Sequence, residues 1–246
     1  MGALYADPRS VLRALKGRSL TSLGKQAALA ATWPLWRQYF RAFPRSFAHG
    51  SQSHPYFLHP YNFTWSNERA VEIPIVWDAV RRCAGGRVLE LGNVLSHYFP
   101  VRQFPVRHEV VDRYERGRRV RNLDVLEVGG EGKYDLIVSI STLEHVGWDE
   151  QPRDPGKIVR AVQHLTSQLA SPGGRMVVTM PLGYNPHLDH LLSRGEVPFT
   201  RTSYFRRRGP TTWEEAATWE EVAGCRYGEP WPAASGLVVG EVQIPG

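Results

Sequence analysis

Short apolar runs separated by amphipathic stretches organise the chain from Asn67 onward. Arg87–Leu91 (RVLEL) is a run of this kind, ending in Gly92-Asn93, which predicts a buried parallel strand leading into a loop. His108–Val111, Val120–Leu123, Tyr134–Ile140, Arg175–Met180 and Gly236–Ile244 predict further strands. Between them, apolar positions recur at helical spacing: Val71, Ile75, Val76, Ala79 and Val80 within Asn67–Cys83, and Ile158, Val159, Val162, Leu165 and Leu169 within Pro155–Leu169. Asn67 is placed to cap the first helix, with Glu68 in its first turn, and Gly85-Gly86 to end it. Gly129–Gly132 and Pro172-Gly173-Gly174 read as turns, and the acidic Trp213–Val222 as a helix. Strands alternating with helices predict an α/β fold with a doubly wound, mostly parallel sheet.

The flanks differ. In residues 1–50, Val11, Leu12, Leu15, Leu20 and Leu23 alternate with basic positions, which predicts a helical arm covering the core, a dimer partner or a membrane surface. Residues 51–67 (SQSHPYFLHPYNFTWSN) are rich in proline, histidine and aromatics; they predict a loop able to close over a ligand. After Pro181 periodicity loosens, and a covering loop or insertion is expected there.

Carboxylates fall at the carboxyl ends of three predicted strands: Glu90, Asp112 and Asp124. In open α/β sheets these ends border the ligand crevice, and a carboxylate in a buried strand is costly unless paired. Asp112 follows Glu90 by about twenty residues, the interval at which a carboxylate meets a ribose diol. Asp124 could accept from an adenine amine or simply mark an acidic turn.

With 246 residues the chain can bury a substantial core. Net charge is +6, and nearly all of the 30 basic side chains are arginine. Phosphorylated or nucleic-acid partners are thereby admitted, yet the arginines are scattered apart from Arg113–Arg121 and Arg206–Arg208, so nucleic acid is not the expected partner. No apolar run reaches membrane-spanning length and no secretory pattern is evident, so a cytoplasmic location is expected. Cys83 and Cys225 read as reduced thiols.

The segments Glu90-Leu91-Gly92, Asp112, Asp124, Tyr134–Ser141 with Glu144-His145, and Pro172-Gly173-Gly174 before a strand resemble, in order and spacing, the class I S-adenosylmethionine (SAM) methyltransferases. The resemblance covers about residues 70–182. It implies a Rossmann-like sheet of seven strands, six parallel and one antiparallel, the last being Gly236–Ile244. It also implies that Glu90, Gly92 and Asn93 lie beside the methionine part of SAM, that Asp112 holds the ribose and Asp124 the adenine amine. Ser139, Ile140 and Ser141 would line the sulfonium end, with Glu144 and His145 at the mouth of the methyl-transfer cleft. The first loop keeps only the first glycine of the family's E-x-G-x-G-x-G. Asn93, which tolerates left-handed backbone, stands in for part of it, and a nicotinamide dinucleotide is disfavoured. The implied division is an arm and aromatic lid over 1–66 and a SAM-binding domain over 67–246, with 183–212 covering the substrate.

The expected enzyme transfers a methyl group from SAM to a small polar acceptor, by preference a sugar or natural-product hydroxyl, with His145 as general base; its ordinary pKa suits that role. Asp149, Tyr184, His187 and His190 are rivals, and His145 could instead be structural. Tyr56, Tyr61, Tyr184 and His187 are the acceptor-binding candidates, with Arg201 and Arg206–Arg208 available to a phosphate handle. Arg69 either reaches an anionic group or pairs with Glu72. The pair His187/His190 lacks the carboxylate that would complete a metal site, and no metal is expected. An RNA or protein methyltransferase and a non-catalytic partner subunit are the alternatives.

Overall fold

The computed structural model describes residues 32–129, 133–169 and 173–245. Most of the expected helical arm, and parts of the turns at 129–132 and 172–174, lie outside them. Residues 32–42 form a helix, α1. A hairpin follows, β1 (Ser46–His49) and β2 (Gln52–Pro55), then a 3-10 segment, Tyr61–Ser66. The core comprises α2 (Arg69–Arg82), β3 (Arg87–Leu91), β4 (Arg107–Val111), β5 (Val120–Arg121), β6 (Leu136–Ile140), α3 (Lys157–Ser167), β7 (Arg175–Pro181), α4 (Pro186–Ser193), β8 (Arg201–Gly209), β9 (Thr212–Ala216) and β10 (Gly236–Gln243).

β3 sits at the centre because both its faces are apolar. Val88 packs with α2, while Leu89 and Leu91 join the cluster that contains α3 and α4. The same alternation sends Leu136, Val138 and Ile140 of β6 toward α2 and Ile137 the other way, as a strand covered on both faces requires.

The eight strands lie in the order β5-β4-β3-β6-β7-β10-β8-β9. β3 is parallel to β4 and β6, β4 to β5, and β6 to β7. β10 runs antiparallel between β7 and β8, and β9 adds an antiparallel edge. The six strands located in the sequence are present with β10 reversed, and β8 and β9 are added to them. The chain winds outward from β3 and then returns to start β6 on its other side. The crevice between β3 and β6 is therefore the switch point at which α/β sheets place their ligands.

Two expectations are corrected. Residues 201–209, read as part of a substrate-covering segment, are a full strand inside the sheet. Ser203, Phe205 and Arg207 alternate inward. The arginine run hid this alternation, because one of its members is interior. Arg207 is buried, donating to the carbonyls of Ser66 (2.9 Å), Pro210 (2.6 Å) and Pro232 (2.9 Å). Burial lowers its pKa to about 10, and it is not free for a phosphate. Trp213–Val222, read as a helix, holds β9 and turns: Trp213 and Ala216 point inward and Arg208 pairs with Glu214 at 2.9 Å.

The aromatic loop is likewise more ordered than a lid. Phe47 packs edge-on against Phe205, with ring centroids 5.9 Å apart. The Tyr56 hydroxyl accepts from the Trp213 backbone N–H (2.8 Å) and donates to its carbonyl (3.1 Å). Tyr56 thus fastens the hairpin to β9 and is not an acceptor-binding residue. Asn67 Oδ1 accepts from the Arg69 N–H at 3.0 Å, so it does bond the first turn, although Glu68 occupies the cap position itself.

Candidate active site

The loop after β3 is held by Glu90. This carboxylate is fully buried; one oxygen accepts from the Val94 and Leu95 N–H groups (2.9 and 2.6 Å), and the other faces His108 Nε2 at 2.8 Å. Its hydrogen-bonding capacity is spent inside the protein, and it does not line the cleft. The expected place beside the methionine end is corrected to one behind the loop that shapes that end.

Gly92 has φ +79°, and a Cβ there would lie 2.1 Å from Thr142 Oγ1. Glycine lets the β3 and β6 loops touch. Asn93 contributes by its side chain and not by left-handed backbone, since its φ is not positive. Its N–H donates to Asp112 Oδ2 (3.2 Å) and its amide to Glu115 Oε1 (2.6 Å).

Between these loops opens a cleft of about 440 Å³, bordered by Gly92, Asp112, Glu115, Ser141, Thr142 and His145, within the size range of small-molecule sites. Asp112 Oδ1 accepts from the N–H groups of Tyr114 (2.8 Å) and Glu115 (2.7 Å), fixing the turn after β4. Glu115 was not foreseen, because it lies in a charged run. Burial raises its pKa, but hydrogen bonds from His97 and Asn93 outweigh that and hold it below the usual carboxylate range.

Asp124 also borders the cleft, but its carboxylate is engaged. It caps a 3-10 turn through the Leu126 N–H (3.0 Å), and pairs with Lys157 and with Arg113 (2.9 Å). Glu150 shares both cations, at 2.7 and 2.6 Å. Asp112 meets neutral N–H donors, whereas Asp124 is held by two cations, which disfavours its expected role toward an adenine amine.

At the end of β6 the expected residues separate. Ser139 and Ile140 are completely buried, and the Ser139 hydroxyl donates to the Leu91 carbonyl at 3.2 Å; both side chains are structural. Ser141, with φ +39°, reaches the cleft, and its hydroxyl donates to Glu72 Oε1 at 2.7 Å. Backbone held in this region by surrounding structure is a mark of functional loops. Glu144 is buried and is not among the residues that border the cleft, although its Oε1 lies 3.5 Å from His145 Nε2. Arg69 pairs with Glu72, the second of its two readings.

His145 borders the cleft beside two of its former rivals. Asp149 Oδ2 lies 2.5 Å from His145 Nδ1 and accepts from the Tyr184 hydroxyl at 2.6 Å, and the His145 and Tyr184 rings meet edge to face at 4.7 Å. Burial raises the Asp149 pKa, but the bonds from Tyr184 and His145 more than reverse this. Asp149 on Nδ1 favours a proton there, and Nε2 lies 3.5 Å from Glu144 Oε1 on the other side of the ring. Tyr61 is exposed and stacked on His97 at 5.0 Å. His187, half-buried on α4, is not among the cleft residues.

No family model matches the chain, and no curated protein matches it. Similar solved structures include N-methyltransferase NodS from Bradyrhizobium japonicum WM9, 16% identical with a TM-score of 0.42, covering 73% of this chain and 97% of that one. Magnesium protoporphyrin IX methyltransferase from Synechocystis PCC 6803 with bound SAM is 13% identical, with a TM-score of 0.42 and coverage of 89% and 96%. The sugar N-methyltransferase KedS8 from Streptoalloteichus sp ATCC 53650 is 16% identical, with a TM-score of 0.37 and coverage of 80% and 99%. At this level of likeness the functional reading rests on the chain's own geometry.

Proposed function

We propose that the chain is a SAM-dependent methyltransferase acting on a hydroxyl of a small polar acceptor, such as a sugar or natural product. The observation that carries this is the switch-point cleft between β3 and β6, bordered by a glycine at van der Waals contact with the opposite loop and by Asp112 and Glu115 after β4. Close backbone approach and adjacent carboxylates suit a nucleoside with a ribose diol.

SAM supplies an activated methyl group on a cationic sulfur. In this reading Asp112 and Glu115 hold the ribose hydroxyls, and the Gly92 and Ser141 backbones shape the methionine end. His145 Nε2 receives the acceptor proton while Asp149 fixes the ring and stabilises the charge that forms on it, the orienting role of a carboxylate behind a catalytic imidazole. The arginines, scattered apart from Arg113–Arg121 and Arg206–Arg208, do not favour an RNA acceptor.

Calorimetry with S-adenosylhomocysteine (SAH) tests the donor site. One-to-one binding is expected in the native protein, weakened at least tenfold in Asp112→Ala. Absence of binding by folded native protein would refute the enzymatic reading and leave that of a non-catalytic subunit.

A further inference from the structure

Behind the β6–β7 side of the cleft lies a second group of charges. Glu68, Glu72 and Glu144 are all buried, with Arg69 as their nearby cation. Two of the carboxylates are well partnered. Glu72 accepts from the hydroxyls of Ser141 (2.7 Å) and Thr179 (2.8 Å) and pairs with Arg69. Glu68 accepts from the Ala234 N–H at 3.0 Å.

Glu144 differs. It is 1% exposed, its Oε1 lies 3.5 Å from His145 Nε2, and its Oε2 has no hydrogen-bond partner. Its position is nevertheless fixed, because the Asn185 amide donates to its backbone carbonyl at 2.9 Å. A buried carboxylate oxygen without a partner is a costly arrangement, and a hydrogen-bond donor, best a cationic one, relieves it. Burial, together with Glu72 and Glu68, pushes its pKa well up, and its own backbone N–H and Arg69 only partly oppose this.

The surroundings are those of an ammonium site. The Tyr184 and Tyr227 rings meet edge to face at 5.4 Å, Tyr184 lies against the His145 ring at 4.7 Å, whose Nε2 is 3.5 Å from Glu144 Oε1, and Tyr227 is 42% exposed. Aromatic rings beside a carboxylate are a recurrent means of recognising an ammonium. The cluster lies on the β6–β7 side of the switch point, whereas Asp112 and Glu115 lie on the β4 side. A donor nucleoside held by the latter leaves Glu144 to the acceptor.

We infer that Glu144, with Tyr184 and Tyr227, binds a primary or secondary ammonium on the acceptor, so that the substrate is an amine-bearing small polar molecule. This rests on the donor-site reading above and adds the acceptor's charge to it. The ammonium anchors the acceptor and gives the unpartnered Glu144 Oε2 a donor.

The test uses the full chain loaded with SAH and two matched pairs of probes, glucosamine against glucose and 2-aminocyclohexanol against cyclohexane-1,2-diol. Calorimetry is expected to show each amine binding at least tenfold more tightly than its neutral partner. Glu144→Gln should abolish that preference while leaving SAH affinity within threefold. Equal binding of the amine and neutral probes in native, SAH-loaded protein overturns the inference and requires no variant to fold. Loss of SAH affinity in Glu144→Gln also overturns it, by assigning the oxygen to the donor. Failure of native protein to bind SAH at all would refute the donor-site reading instead, a separate outcome.

Discussion

Gly92 and Thr142 are packed so closely that a methyl group on the glycine would stand 2.1 Å from the threonine hydroxyl. The contact joins the first turns beyond β3 and β6, the two strands that flank the switch point. Gly92→Ala is expected to cost about 1–2 kcal/mol from its left-handed backbone alone, with the steric clash in addition, and to weaken SAH binding more than tenfold. Thr142→Ala in the same chain should recover part of both losses, because it removes the clash and leaves the backbone strain. A double-mutant cycle by urea unfolding and calorimetry measures the coupling; additivity would show that the contact does not shape the cleft.

Glu90 is expected to act on the loop and not on the donor. Glu90→Ala orphans the Val94 and Leu95 N–H groups and His108, a loss on the order of 2–4 kcal/mol. Glu90→Gln keeps an accepting oxygen and should cost less than half as much. Urea midpoints at unchanged m-value give both numbers. A Glu90→Gln variant of native stability that had lost SAH binding would instead place this carboxylate on the ligand.

His145→Ala is expected to lower kcat by about 10²–10⁴-fold toward the hydroxyl acceptor once one is found, with SAH affinity within threefold of the parent. Before that, nitrogen NMR can read the ring directly: His145 should carry its proton on Nδ1, and Asp149→Asn should shift it toward Nε2. An Nε2-protonated ring in native protein would rule out the base role.

Asp124, Glu150, Arg113 and Lys157 form a network whose pH dependence follows from its pKa shifts. Burial raises both carboxyls, but bonds from Lys157 and Arg113 hold them below their ordinary 3.8 and 4.5. Burial lowers Lys157, yet Asp124 and Glu150 bring it above its ordinary 10.5. The carboxylates' contribution is therefore complete above their ordinary values and lost as pH falls through the lowered ones. That of Lys157 is complete below 10.5 and lost as pH rises through the raised value. Lys157→Met should be less stable than the parent by a constant margin from about pH 5 to 9, with the gap closing below about pH 4. A margin unchanged at pH 3 would mean that these charges do not interact as described.

The strands and the parallel winding were legible in the chain because burial on both faces of a strand writes itself locally, as a short and mostly apolar run: Arg87–Leu91, Tyr134–Ile140 and Arg175–Met180 each show it. The acids at strand ends were legible for the same reason. What those acids do was not. Glu90 and Asp124 look as available in the sequence as Asp112, and only their partners reveal that they are spent: His108 and the Val94–Leu95 backbone on one, Lys157 and Arg113 on the other.

The interior place of Arg207, the strand through 201–209, the union of His145 with Asp149 and Tyr184, and the isolation of Glu144 Oε2 were settled by tertiary structure. Hydrophobic periodicity is a property of neighbours along the chain, whereas a polar group's free capacity depends on donors and acceptors that folding brings from far away, as Thr179 is brought to Glu72. The sequence therefore determined the parallel strands and the helices between them, and where the strand ends carry charge. Folding decided which of those charges are left to meet a ligand.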